Sequence, residues 1–568
     1  MLKKVIFHTS PKGIAVPRLV FIAAFSLLFS ACKPGDQAER GNGGVEANLE
    51  APSPFSHHPE LPVSFRSKLP LELIARRGED GLVSTITENM QERECRLVPS
   101  EYHSLGIYAK YRIPLEELAE EPFMPYVSML ELGPWANDSD LELLHLFTGI
   151  RELTFFKNHT VTEKGVARLS KMKGLETLAF YDSETVSDCF VVGISAIPQL
   201  RSVEFCFCPN ITGEGFYQLA GSNLERLRFS GSGITDCGAE SISLIDGILE
   251  LDLDRTEITD AGLVHLRDMK SLRSLDVFSC DGISDEGVAS LSNIATLQEL
   301  DVRCPKLTAS GLGHLARLPE IRRIQLPAHL LTDANMELFS NWKMLQTLDL
   351  EDAEVGDEGV RFLAGLTRLE VLNLGGTNVG DDGIRFLAGL ANLEFLNLFD
   401  TRVAGNGASF LVNLEKLKDL SIHTGDCGMP AIGKLRSLAV LRLFGKFSTA
   451  GLSHLGNLGE LETLELIGVN VEDCDLAVLQ SCTKLRELNL SMCKGLTASR
   501  LSALIDMPAL AELYLEGVGI GDEAVPPLCM MSGLEVLNLL GTKITDDGLR
   551  KIAEALPRCS IYGEKMAQ

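Results

Sequence analysis

From residue 127 almost to the C-terminus, the apolar positions fall into one recurring phrase, Leu-x-x-Leu-x-Leu, that returns about every 24 residues. The clearest copies begin at Leu272, Leu345, Leu369, Leu393, Leu485 and Leu534. Eighteen starts are legible: 127, 150, 175, 200, 224, 248, 272, 297, 321, 345, 369, 393, 417, 438, 461, 485, 510 and 534, with a truncated nineteenth phrase at Leu556, Cys559 and Ile561. Counting each start as offset 0, the residues at offsets 0, 3 and 5 bracket a short strand whose alternate side chains point to opposite faces. A polar turn follows, then a helix start, then apolar residues at helical spacing. The phrase therefore predicts one strand and one helix per repeat.

Ile258-Thr259-Asp260-Ala261-Gly262-Leu263-Val264-His265-Leu266 shows the helix start whole. Thr259 is a candidate N-cap, Asp260 places negative charge where the helix dipole favours it, and Leu263 and Leu266 share a face. The motif returns at Ser284–Val288, Gly356–Val360, Gly380–Ile384 and Thr545–Leu549. Its glycine implies close backbone approach between neighbouring turns. One repeat buries too little apolar surface to order itself, so neighbours must stack into a solenoid, a form more often used as a binding surface than as a pocket for chemistry.

These residues resemble the leucine-rich repeat family, in particular its cysteine-containing type and similar bacterial repeats. Leu272–Leu291 and Leu485–Leu501 follow its consensus closely, and offset 8 holds Cys208, Cys280, Cys493, Thr256, Thr377, Thr401 or Thr542. Cys482 matches the second cysteine of that type. The resemblance implies an α/β solenoid of about 18 repeats, curved, with parallel strands on the concave face and helices on the convex face. It says little about the ligand.

Upstream of the repeats the pattern changes three times. In residues 1–31, Lys3, Lys4, Lys12 and Arg18 precede an apolar run from Leu19 to Phe29 and then Ser30-Ala31. That is the layout of a signal peptide. Small residues before Cys32 resemble the lipobox of bacterial lipoproteins, although Phe29 stands where leucine is usual. The expectation is a lipid anchor at Cys32, and Lys33 after it implies the outer membrane in the Gram-negative members of that class. Residues 32–60 then read as the lipidated cysteine and a flexible linker, 61–126 as an N-terminal cap for the exposed strand edge, and 127–568 as the solenoid.

Charge narrows the partners. Losing the four basic residues of segment 1–31 takes the formal net charge from −26 to −30. Such a chain repels phosphates, so no nucleic-acid partner is expected. The fourteen cysteines fall mostly at core or turn offsets and contain no CxxC, which favours buried thiols over a disulfide framework. Cys206 and Cys208 should share one side of a strand, and Cys280 and Cys304 are placed to bond if the compartment oxidises.

Little points to chemistry. The Asp-Asp-Gly and Asp-Glu-Gly phrases supply too few oxygen ligands for a calcium loop and read as helix caps. Cys95 with His103, and Cys474-Asp475, are weak thiol candidates, and Lys68–Ile74 faintly resembles the opening of an F-box helix. No phosphate loop, HExxH or GxSxG occurs. No cofactor, metal or catalytic residue is expected.

The outward offsets 2, 4 and 6 are more informative. Offset 6 gives Phe399, His423, Phe444 and Ile467 in four successive repeats, and offset 2 gives Val371, Phe395, Asp419 and Val440. Strands about 4.8 Å apart would join these into one apolar patch with aromatic anchors, which reads either as an interface or as a degenerate repeat whose aromatics a neighbouring loop covers. The step from Leu417 to Leu438 is the shortest between full repeats, and Gly425-Asp426-Cys427-Gly428-Met429-Pro430 replaces the usual helix start, implying a change of curvature there. A second, acidic stretch holds Glu250, Asp252, Asp254, Asp276, Glu299, Asp301, Asp349 and Glu351. It reads either as a receiver for a basic partner or as a solvated face.

The sequence thus leads to a non-catalytic lipoprotein of the bacterial cell envelope that presents a protein- or peptide-binding surface. Phe395, Phe399, His423, Val440, Phe444 and Ile467 are the candidate ligand contacts. The alternatives are an enzyme with its site in 61–126 and a purely structural envelope protein.

Overall fold

The computed structural model describes residues 64–65, 72–76, 83–87, 95–96, 104–109, 112–121, 124 and 127–563. The signal segment, Cys32 and the linker lie outside them. The chain divides into two units, residues 1–256 and 257–568.

In the first unit, strands Ser104–Ala109, Val127–Leu132, Glu152–Phe156, Thr177–Tyr181, Ser202–Cys206, Arg226–Arg228 and Glu250–Asp252 run parallel, each beside its successor. Two further strands extend the sheet beyond Ser104–Ala109: Glu72–Arg76 pairs with it antiparallel, and Val83–Thr87 pairs antiparallel with Glu72–Arg76. Trp135 ties this edge to the repeats by donating its indole N–H to the Ala109 carbonyl at 2.8 Å.

The offset-5 column of this unit is aromatic. Phe155, Phe180, Phe205 and Phe229 stack in series with centroids 4.9, 5.6 and 6.3 Å apart. Phe190 and Phe216 set their edges against the stack from the helical side. Near-parallel rings on one-per-repeat strands fill a wider core than leucine does.

The second unit repeats the arrangement with aliphatic ribs. Thirteen strands, from Ser274–Asp276 to Ser560–Tyr562, pair parallel in succession. Leu348, Leu372 and Leu396 stand opposite one another, and the offset-5 leucines beside them are buried. The last strand corrects the phase read from sequence. Ile561 faces Leu537, an offset-3 residue, so the nineteenth repeat starts two residues later than Leu556.

Strands that carry Asp or Asn at offset 4 end in the same way. The offset-4 Asp or Asn accepts the backbone N–H two residues on: Asp276 from Phe278 at 2.8 Å, Asn373 from Gly375 at 3.0 Å, Asn397 from Phe399 at 2.9 Å and Asn489 from Ser491 at 2.9 Å. The residue at offset 7 then turns left-handed, as at Ser279, Asp352, Asp400 and Met492. An Asx turn therefore breaks the strand and steers the chain into the core. At offset 8, Thr256, Thr377 and Thr542 donate to the offset-5 carbonyl of their own repeat at 2.7 Å. Cysteine at that offset reaches the preceding repeat instead: the thiols of Cys208 and Cys493 lie 3.5 and 2.8 Å from the Phe180 and Leu466 carbonyls. The twelve cysteines with described side chains form no disulfide, Cys280 and Cys304 included. Cys206 ends its strand and Phe207 turns left-handed, so strand alternation does not place Cys208. Burial pushes the Cys206 and Cys493 thiols up to about 12.

The helix-start aspartate acts on the next repeat rather than only on its own helix. Asp260 accepts the Ser284 backbone N–H at 2.7 Å and the Ser284 hydroxyl at 2.6 Å. The same two-point contact joins Asp138 to Thr162, Asp285 to Thr308, Asp426 to Ser448 and Asp522 to Thr545. Where the equivalent residue of the next repeat is Gly356, Gly380 or Ala404, only the backbone bond remains, to Asp333, Asp357 and Asp381. The motif's glycine exists for this carboxylate. A Cβ on Gly287 would stand 2.3 Å from the Asp260 Oδ1, and a Cβ on Gly359, Gly383 or Gly548 would meet Asp333, Asp357 or Asp522 just as closely.

The short step at 417–438 also differs from its sequence reading. A helix does form there, Met429–Ile432, with Pro430 in its first turn where a missing N–H costs nothing. The irregularity lies in the strands. Asp419–Gly425 and Val440–Lys446 run for seven residues each and pair along their whole length. Ser421 and Arg442 stand at offset 4, and their strands continue through it, whereas strands with Gln325, Glu465 or Tyr514 at that offset stop after three residues.

Gly287→Ala should destabilise the protein by about 1–3 kcal/mol, against the intrinsic helix preference for alanine. Asp260→Ala should cost about 1–2 kcal/mol. Measured by chemical denaturation, the double variant should lose less than the sum, because the carboxylate that obstructs the new methyl is gone. Strictly additive losses would disprove the coupling.

Candidate ligand-binding face

The six sequence candidates all lie on the sheet face of the second unit, across four adjacent strands. Phe399 and Phe444 make ring contact, centroids 4.5 Å apart and planes at 57°. Their strands are separated by Asp419–Gly425, so the rings lean toward each other across the backbone at His423, which pairs in register with Phe444. His423 is exposed, and Phe399, Val440, Phe444 and Ile467 are half-buried. Phe395 differs from them: at 3 % exposure it is covered rather than presented. Val371 in the same column is covered too.

Beside the rings lies a charge cluster of which the sequence reading had named only Asp419. Arg442 donates from Nη1 to Asp419 Oδ1 at 2.6 Å and from Nε to Glu465 Oε1 at 3.1 Å. All three are buried. Burial pushes the Asp419 carboxyl up to about 6; the Arg442 guanidinium opposes that shift and Glu465 adds to it. The cluster follows from the extended strands, because Arg442 stands where other repeats carry the turn-forming Asp or Asn.

The acidic stretch resolves into structural parts. Asp252, Asp276, Asp301 and Asp349 are the Asx residues that end their strands. Asp301 also pairs with Arg303, whose guanidinium lies 4.3 Å over the Phe278 ring. The first unit carries a row that sequence reading missed: Tyr108, Phe156 and Tyr181, with centroids 6.1 and 5.1 Å apart. Tyr181 donates to Glu204 at 2.5 Å, and Arg228 pairs with Asp252 at 3.4 Å beyond it. The signal was available, since Phe156 and Tyr181 both occupy offset 6. Cys474 is excluded as an open nucleophile: it is buried, its thiol lies 3.0 Å from the Phe447 carbonyl, and burial raises its pKa. Cys95 and His103 have no described side chains. Among the described residues no cluster of potential metal ligands occurs and no helix is long and apolar enough to cross a membrane.

With this geometry in hand, the comparisons agree on the repeat. The family described as Leucine Rich repeat matches residues 268–292, 343–364, 366–388, 481–504 and 534–553. The fold is thus an α/β solenoid, and five of its stretches match that repeat family. Among solved structures it is similar to an internalin of Listeria monocytogenes, at 20% identity and a TM-score of 0.41, covering 62% of this chain and 89% of that one. It is also similar to a leucine-rich repeat protein of Leptospira interrogans, at 17% identity and a TM-score of 0.40, covering 69% and 91%. A third is the mouse RP105/MD-1 complex, at 16% identity and a TM-score of 0.42, covering 74% and 88%. No curated protein matches the sequence.

Arg442→Met should cost about 3–5 kcal/mol, because it leaves Asp419 and Glu465 buried without their counter-charge. A loss below 1 kcal/mol would show the cluster to be hydrated. The raised Asp419 pKa has a definite sign. The folded state binds the proton more tightly than the unfolded one, so stability is unaffected below about pH 4 and falls as pH rises to about 6, by at most about 3 kcal/mol. Urea denaturation of wild type and Asp419→Asn across this window should show the slope only in the wild type.

Proposed function

We propose that this protein is a lipid-anchored component of a bacterial cell envelope, without catalysis, that binds a protein or peptide on the sheet face of its second unit. The observation that carries the binding assignment is the Phe399–Phe444 pair. Two partly exposed rings meet at 4.5 Å over an intervening strand, flanked by Val440, Ile467 and the exposed His423. Such a cluster removes more apolar surface from water when covered than scattered residues would, and aromatic anchors dominate interface energetics. The leucine-rich repeat class agrees with a binding scaffold.

The anchor assignment rests on the basic, apolar and small-residue succession that ends at Cys32. The outer membrane is the proposed location, from Lys33 after that cysteine. The net charge of −26 argues against a nucleic-acid partner.

Affinity capture from the cell envelope with wild type and with Phe399→Ala/Phe444→Ala tests the reading. The double variant should lose a specifically retained protein or peptide, by about tenfold or more in affinity, while its thermal midpoint falls by only a few degrees. A collapse of the midpoint would make the rings core, and equal retention would remove the face from the interaction. Labelling with a radioactive fatty acid should be abolished in Cys32→Ser; persistent labelling would refute the anchor.

A further inference from the structure

In the first unit, the turn that leads from helix to strand changes form at Ala220–Leu224. In the two repeats before it, the offset-0 amide closes onto the carbonyl three residues back, Leu175 to Met172 at 3.1 Å and Leu200 to Ile197 at 3.3 Å. Here the bond comes two residues early, from Ser222 to Leu219 at 2.9 Å. Ala220 is extended (ψ 130°) and Gly221 turns left-handed (φ 78°), as Gly247 does one repeat later (φ 87°). A Cβ on Gly221 would meet no atom within 4 Å, and one on Gly247 only the Leu224 carbonyl at 3.8 Å. The space left open is a hollow of about 660 Å³ running from Lys173 to Leu249. That volume lies in the ~300–1,000 Å³ range of small-molecule sites.

The lining decides what the hollow can hold. Arg201 is paired with Glu225 inside it, and Glu176 with Arg151 beside it. Lys173 and Asp246, in the first and last of its turns, add one charge of each sign. No surplus charge is left to select an ion. Gln199 and Asn223 donate their amide N–H groups to the Met172 and Pro198 carbonyls of preceding repeats, at 2.7 and 2.9 Å. Those bonds hold both amides in place and leave their oxygens to accept from elsewhere. The Ser222 Oγ is shielded and has no hydrogen-bond partner, which is unfavourable in the free protein. Large apolar side chains are limited to Leu224 and Leu249, too few to seat the side chains of a peptide.

We propose that this hollow is a second ligand site, separate from the aromatic face, and that it takes a neutral oligosaccharide. Closely spaced sugar hydroxyls each donate and accept, which matches amide oxygens and a free hydroxyl set side by side without net charge. Gln199 and Asn223 accept from the sugar, and Ser222 gains the partner that the fold denies it. This inference goes beyond the proposed peptide-binding role and stands independently of it.

Calorimetric titration of the full chain with maltose, cellobiose and N,N′-diacetylchitobiose tests it, with tetraalanine as the peptide control. Concentrations reach about 10 mM, since a few neutral hydrogen bonds give a Kd on the order of 1 mM. At least one disaccharide should bind and tetraalanine should not. Ser222→Ala should weaken that disaccharide severalfold while its thermal midpoint stays level or rises. Gln199→Ala/Asn223→Ala should weaken it about tenfold or more. Asn392→Ala removes the same kind of amide-to-carbonyl bond in the second unit, to Thr367 at 2.8 Å, and should leave binding unchanged. Failure of all three disaccharides to bind overturns the proposal, as does tetraalanine binding as tightly as the best of them. Affinity unchanged in Ser222→Ala, or lowered no more by the amide pair than by Asn392→Ala, places the sugar elsewhere and overturns it too. A lower midpoint for Ser222→Ala removes the unpartnered hydroxyl on which the site rests. Phe399→Ala/Phe444→Ala should bind the disaccharide as wild type does; if it does not, the sugar belongs to the aromatic face, and this site falls while that binding role stands.

Discussion

The start of a helix in this chain is satisfied from two repeats: its own N-cap Thr or Ser accepts a first-turn amide, and the aspartate of the preceding repeat accepts the amide of that N-cap residue. The first amides of a helix have no carbonyl within the helix to accept them. Here the carboxylate of Asp138, Asp260, Asp285, Asp426 or Asp522 reaches across the stack to the next N-cap, taking its amide and, where there is one, its hydroxyl. The glycine follows as a consequence, since any side chain there would occupy the carboxylate's place. Threonine or serine, aspartate and glycine thus recur together because one contact between neighbours needs all three. Cooperativity along each unit is built into the motif, as a nearest-neighbour term with named atoms.

The same logic explains what the sequence made legible. Period, strand positions, helix positions and the identity of the covered ribs follow from apolar spacing, because burial is what spacing encodes. The candidate aromatic residues at offset 6 were visible for the same reason: side-chain alternation on a strand is fixed geometry. What escaped was every feature that depends on contact between repeats. Asp260 read as a dipole partner for its own helix, because a local window cannot show Ser284 beside it. Asp276 and Asp301 read as a possible docking surface, because their Asx turns are visible only once the backbone bends. Phe395 read as presented, since alternation gives the face of a residue but not what covers that face. The truncated final phrase was misplaced by two residues because Leu556 and Cys559 fit the spacing while Ile561 alone fits the register.

The aromatic column of the first unit makes a related point. Phe155, Phe180, Phe205 and Phe229 occupy the rib that leucine or valine fills in the second unit, and they stack face to face along it. A strand-per-repeat sheet holds successive side chains near 4.8 Å, close to the spacing of offset aromatic stacking. The rib therefore accepts a ring or an aliphatic chain without a change of period.

The second unit holds two long strands side by side, and its candidate binding features gather there. At Ser421 and Arg442 the strands do not end at offset 4; the two run on for seven residues and pair throughout. The side chains of His423 and Phe444 then remain in register on a sheet, where the rings of Phe399 and Phe444 close over the strand between them. The position freed from turn-making also became available to a guanidinium, which gathers Asp419 and Glu465 around it. An array of identical turns offers a partner the same contact at every step. Only a break in that sequence supplies a distinct place, and here the break brings an apolar pair and an unbalanced charge to adjacent strands.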